Sequence, residues 1–128
     1  MVLRNDSYPT EIRANARNGE GTLTLHHIFS AEQIGNIGRM FARAELEPGS
    51  SIGYHVHRGE FEIIHILCGT AKINDNGETI LLYPGDTLLT RNGEGHSVEV
   101  SGHSTLSYIA IVLHASEGVH SVPNAQEC

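Results

Sequence analysis

The chain has 128 residues, 39% of them hydrophobic, with 8 Lys+Arg against 15 Asp+Glu for a formal charge of −7, and 9 histidines. That length suits a single domain, 1–128, able to bury about two-thirds of its unfolded surface without disulfides. The acidic balance and the lack of any basic cluster argue against nucleic acid or an anionic membrane surface as partners. No apolar run approaches the roughly 20 residues of a bilayer span, and the first residues lack a signal peptide's apolar core, so a cytoplasmic protein is expected.

Residues 1–20 are polar and turn-rich and read as an arm lying outside the folded core or packing against it. "TLTLHHIF" (22–29) is the first strand candidate; His26 and His27 are neighbours, so only one of them can point inward. "SAEQIG" (30–35) has Ser30 and Gln33 at capping-box spacing and then Gly35, enough for about one helical turn. "GRMFARAEL" (38–46) alternates, with Met40, Ala42, Ala44 and Leu46 on one side and Arg39, Phe41, Arg43 and Glu45 on the other. "IGYHVH" (52–57), "EFEIIHILCG" (60–69), "TAKIND" (70–75) and "ETILLY" (78–83) follow. Asn76-Gly77 stands between the last two where a tight hairpin turn is expected. "DTLLT" (86–90), "HSVEV" (96–100) and "TLSYIAIVL" (105–113) complete the set, with "EPGSS", "YPGD" and "NGEG" as further turns. Residues 115–128 form a second arm. So many short strands predict an all-β fold, a two-sheet antiparallel barrel or sandwich with its core at about 21–114. "EIIHILC" and "YIAIVL" are apolar on both faces, which calls for a second sheet or a second subunit against them and makes a homodimer an expectation. The cysteines, Cys68 and Cys128, make no disulfide framework and suit a reducing compartment; Cys68, inside an apolar run, is expected as a small buried hydrophobe.

His55 and His57 stand at i and i+2 and share one strand face, roughly 7 Å apart. Glu62 is an odd number of residues from both. A four-residue hairpin loop over "RGEF" would set it opposite His57, with Cβ atoms about 5 Å apart. Two imidazoles and a carboxylate at that range suit a divalent cation. The same eight residues also fit two solvent-facing histidines beside the hairpin charges Glu60 and Glu62.

The surroundings distinguish these readings. In "PGSSIGYHVHRGEFEIIHILCG" (48–69), Gly49 is followed by five residues, His55-x-His57, four residues, Glu62, six residues and Gly69. In "PGDTLLTRNGEGHSVEV" (84–100), Gly85, Gly93 and His96 recur at matching intervals. Both stretches resemble the two sequence motifs of the cupin superfamily, with Arg91 where proline is usual and Val100 where asparagine is usual. The resemblance implies a small jelly-roll barrel of two antiparallel sheets that holds one divalent metal ion through His55, His57, Glu62 and His96. On a six-coordinate ion such a set leaves two positions open. Within the superfamily the chain looks most like small single-domain proteins, manganese-containing oxalate-decarboxylase-like ones among them. This implies manganese first, with iron, nickel or zinc also possible, and a decarboxylase- or dioxygenase-like enzyme acting on a small carboxylate or other oxygenated compound. The alternatives are a non-catalytic barrel that binds or senses a small molecule, and a closed structural zinc site. Glu60 and Glu94 are near the motifs as candidate proton donors. Arg91, if its loop lies at the barrel mouth, could pair with a substrate carboxylate, the alternative being a solvated loop arginine. His65 and Tyr54 are expected to face away from the metal, and His103, His114 and His120 are assigned no role.

Overall fold

Alternate residues along the strands are buried, and this pattern builds two antiparallel sheets in the computed structural model, which describes residues 1–116. The strands are β1 (Thr10–Ala14), β2 (Thr22–Phe29), β3 (Gly38–Leu46), β4 (Ser51–Val56), β5 (Glu60–Cys68), β6 (Thr70–Asp75), β7 (Glu78–Leu82), β8 (Thr87–Thr90), β9 (Gly95–Ser101) and β10 (Leu106–His114). A six-stranded sheet runs β1-β2-β3-β10-β5-β8 and a four-stranded sheet runs β4-β9-β6-β7. The expected all-β architecture of two antiparallel sheets is the one found.

On β3 the side expected to be inward, Met40, Ala42, Ala44 and Leu46, is buried. It packs with Ile64 and Ile66 of β5 and Tyr108, Ala110 and Val112 of β10, facing Ala71, Ile73, Val98 and Val100 of the smaller sheet. Each such branched side chain taken out of water contributes about 1.5–3 kcal/mol, so this interlayer seam is the main source of stability. The second sheet therefore covers one face of the doubly apolar strands. On the other face, Ile63, Ile109 and Ile111 are half-buried. Asn76 and Gly77 make the expected two-residue turn between β6 and β7, both with positive φ (51° and 103°), with Asp75 paired to Glu78.

Three local expectations change. The stretch 30–35 forms its capping-box bonds, Gln33 N–H to Ser30 Oγ at 3.1 Å and Ser30 N–H to Gln33 Oε1 at 2.8 Å, but stays a turn rather than a helix. Six residues ending in glycine are too few to propagate past the nucleation cost.

Cys68 is exposed, not buried. Between Ile66 and Cys68 the register with β10 slips, Ile66 opposing Tyr108 and Cys68 opposing Ser107, so the extra residue at 67 turns Cys68 out of the inward phase.

The segment 57–59 is not a hairpin loop. β5 is flanked by β10 and β8 in the large sheet, while β4 pairs with β9 in the small one, so the chain crosses from one sheet to the other. The N-terminal arm packs against the barrel: β1 extends the large sheet from β2, and a 3-10 turn at Ala16–Asn18 lies on β4. Of the C-terminal arm, residues 117–128, with His120 and Cys128, lie outside the described residues.

Candidate metal centre

Four side chains converge between the sheets because three strands deliver them from different directions. His55 of β4 and His96 of β9 are direct partners across the small sheet. Glu62 comes from the inner face of β5, one turn of alternation before buried Ile64. His57 follows the end of β4, held by its N–H to the Glu94 carbonyl at 3.0 Å and by its own carbonyl, which accepts from the Gly93 N–H at 2.7 Å.

The inward aim of His55 depends on a bulge. Ile52 packs on the core opposite Val98, and strict alternation from there would turn Tyr54 in and His55 out. Three steps along β4 match only two along β9 between Ile52 and His55, and this one-residue excess turns His55 inward and leaves Tyr54 48% exposed.

Each imidazole has its Nδ1 engaged on the outer side. His55 Nδ1–H donates to the Gly53 carbonyl at 2.8 Å, and His57 Nδ1–H donates to Glu60 Oε1 at 2.9 Å. His96 Nδ1 lies 2.6 Å from the hydroxyl of fully buried Thr90, itself the cross-strand partner of Glu62. With Nδ1 anchored, the ring orientation is set and Nε2 is left to face the centre, the arrangement that supports imidazole as a metal ligand. Glu62 Oε1 lies 2.9 Å from His57 Nε2 and 3.0 Å from His96 Nε2, and the two nitrogens are 3.4 Å apart. A ligand atom from each of His55, His57, Glu62 and His96 falls within 4.8 Å of the others. An ion 2.0–2.2 Å from each donor would place neighbouring donors roughly 3–3.5 Å apart. The set therefore fits a cation, and its imidazole and carboxylate chemistry suits a borderline or hard divalent one.

The electrostatics point the same way. Burial works to raise the Glu62 carboxyl, but hydrogen bonds from His57 and His96 outweigh it and hold the group at about 2. Burial also opposes charge on His57, yet Glu62 and Glu60 on its two sides keep this imidazole above its usual range. His55 has no such carboxylate: burial pulls it down to about 4 against the Gly53 bond, helped by the nearby charges of His96, His57 and Arg17. A proton on His57 thus stands where a cation would stand, between an imidazole and Glu62, and metal binding would displace it.

Behind this cluster lies a cavity of about 60 Å³. At 10–15 Å³ per water-sized probe it holds about four to six small groups. Its wall is apolar over Leu25, Met40, Ile64 and Tyr108, and cationic at Arg13, Arg17 and Arg39. Among the described residues Glu62 is the only carboxylate lining it.

The structure thus brings His55, His57, Glu62 and His96 together, and it sets the other candidates apart from the cavity wall. Glu60 sits behind His57, where Arg39 Nε and Nη2 both donate to it at 2.8 Å, and these bonds from Arg39 pull its carboxyl down to about 2. Arg91 and Glu94 belong to one turn, the Arg91 N–H donating to Glu94 Oε1 at 2.9 Å. His65 meets Thr87 on the outer face, and His26 and His27 pair with Glu45 and Glu11 away from the centre. The arginines of the wall and the supporting Thr90 were not anticipated. Their sequence surroundings carry no spacing signal, because two of the arginines come from the arm and Thr90 acts through a cross-sheet contact.

A family model described as a cupin domain matches residues 42–112. The chain is 41% identical over 113 residues to the oxalate-binding protein of Thermotoga maritima, an overlap covering 88% of this chain and 93% of that one. A crystal structure described as that of a predicted oxalate decarboxylase from Thermotoga maritima matches with a TM-score of 0.86 at 40% identity, covering 90% of this chain and all of the other, 100%. A polyketide cyclase from Streptomyces resistomycificus matches with a TM-score of 0.74 at 18% identity over 95% of this chain and 84% of its own, a likeness of fold alone.

Proposed function

This chain belongs to the cupin family, and from that premise we propose that it binds one divalent metal ion through His55, His57, Glu62 and His96 and uses it to hold a small dicarboxylate of the oxalate type. The observation that carries the reading is the combination of a four-donor cluster with a cavity of about 60 Å³ walled by three arginines. That volume suits a ligand of a few non-hydrogen atoms, and the arginines suit an anion. The kinship with an oxalate-binding protein at 41% identity supports the same ligand class. Manganese is the first choice of ion, with iron, nickel and zinc as alternatives, since the donor set does not select strongly among them. When bound, the ion would supply Lewis-acid attraction for a carboxylate at its open positions. The chain's own residues do the rest. Glu60 and Thr90 keep two imidazoles oriented, Gly53 holds the third, and Tyr108, its phenol raised by burial, stays neutral in the wall.

The second reading is an oxalate-decarboxylase-like or dioxygenase-like enzyme. Four protein ligands leave two positions of a six-coordinate ion open, which favours it. Against a decarboxylase, the described wall offers no carboxylic proton donor besides Glu62. We further propose a cytoplasmic homodimer joined over the half-buried isoleucines of β5 and β10. Among the described residues no helix is long and apolar enough to cross a membrane.

The test is elemental analysis of protein made without chelator, with a His55→Ala/His96→Ala control, followed by oxalate calorimetry and assay of formate and carbon dioxide release. About one ion per wild-type chain, none in the control, and oxalate binding without turnover support the binding reading. Turnover moves the assignment to the enzyme. No metal after reloading sinks both.

A further inference from the structure

The arm turn before β2 has an unusual backbone. Asn15, Arg17 and Asn18 all have positive φ, at 51°, 52° and 64°. Asparagine visits this region readily, but arginine has no local reason to do so, and strain of this kind persists only where surrounding contacts impose it. Those contacts are present. The Asn18 and Gly19 N–H groups close the turn onto Asn15 and Ala16 carbonyls at 3.0 and 2.9 Å. The Ser51 N–H donates to the Glu20 carbonyl at 2.9 Å, and the Glu20 N–H to Ser51 Oγ at 3.0 Å. Two glycines permit the close approach: a Cβ on Gly53 would lie 2.0 Å from the Arg17 carbonyl oxygen, and one on Gly19 would lie 2.2 Å from that of Ser51. The turn is therefore clamped to the β4 bulge, two residues before His55.

The clamp brings Arg17 to the cavity wall. The other two arginines of that wall are already matched, Arg13 with Glu11 and Arg39 with Glu60. The Arg17 side chain has no hydrogen-bonding or ion-pair partner among the described residues, and it lines the same cavity as His55. Local charge then balances simply. A divalent ion, the Glu62 carboxylate and the Arg17 guanidinium sum to two positive charges, which a dicarboxylate dianion neutralises.

We propose that Arg17 is the anion-recognising residue of this site, receiving the carboxylate of a short dicarboxylate ligand that the ion does not hold, so that the strained turn sets selectivity for dicarboxylates over monocarboxylates. This rests on the metal-dependent dicarboxylate reading above. The test uses full-length, manganese-loaded wild type with Arg17→Gly and Arg17→Asn, replacements that tolerate the left-handed backbone and leave the clamp intact. Metal content, thermal midpoint, and calorimetric affinity for oxalate and for formate are measured on each. Loss of one charge-assisted contact predicts roughly a tenfold to hundredfold weaker oxalate binding, with formate affinity and metal content unchanged and a midpoint no lower than wild type. Unchanged oxalate affinity in both variants overturns the assignment, and so does loss of manganese from them, which would make Arg17 part of the metal centre's scaffold. A loaded wild type that does not bind oxalate overturns the underlying ligand reading instead, and is seen before any variant is made.

Discussion

Thr90→Val isolates the support of the candidate metal centre from the four side chains that converge there. Valine keeps the shape of threonine and removes the hydroxyl that lies 2.6 Å from His96 Nδ1. Thr90 is fully buried and His96 only 1% exposed, so no water replaces the lost partner. The imidazole loses its anchor, and its Nδ1 is left without a partner. Supporting contacts of this kind are worth 10- to 100-fold in metal affinity, or about 1.4–2.7 kcal/mol. An unsatisfied buried polar atom costs a further ~1–3 kcal/mol of stability in the metal-free protein, a fall of several degrees in thermal midpoint for a domain of this size. Competition of manganese or zinc against a chromophoric chelator reads the affinity, and calorimetry after chelation reads the stability. Thr90→Ser keeps the hydroxyl and is expected to retain near-wild-type metal affinity. Equal affinity in Thr90→Val, Thr90→Ser and wild type would refute the claim that Thr90 orients His96.

The depressed carboxyl of Glu62 fixes a pH dependence. A group held at about 2 when folded, against an ordinary 4.5, contributes stability that is present above pH 4.5 and lost as the pH falls towards 2. The midpoint of chelated wild type should drop across that window, with a flatter profile in Glu62→Gln. On His57 the shift is upward, so protons compete with the metal from above its usual 6.5; metal retention, followed by elemental analysis after dialysis, should start to decline on acidification before that pH is reached. Gly53→Ala would push a methyl into the Arg17 carbonyl, and a loss of about 1–3 kcal/mol in denaturant titration is expected, while an unchanged midpoint would mean the arm is not clamped as described. Native alkylation followed by peptide mapping should modify Cys68 without denaturant, and Cys68→Ser should change stability by less than about 0.5 kcal/mol.

Strand identity was legible in the sequence because it is expressed as short-range spacing, whereas the quartet His55, His57, Glu62 and His96 was legible only through a family resemblance. Alternation along "GRMFARAEL" follows from the two-residue repeat of the strand, and Asn76-Gly77 reports its own turn through backbone sterics. The intervals among His55, His57, Glu62 and His96 mark the resemblance to a known family. How those donors meet was decided in three dimensions. Alternation from Ile52 would have turned His55 outward; a bulge, set by the pairing of β4 with β9, reverses it. The same kind of slip against β10 turns Cys68 out. His57 and Glu62 meet not across a hairpin but across the gap between two sheets, because hydrogen-bonding partners far along the chain claim both edges of β5. The arginines of the cavity wall and the hydroxyl behind His96 depend on contacts between segments distant in sequence, which no local periodicity encodes. The sequence by itself determined which residues are available to the site; the packing of one sheet on the other determined where each of them points.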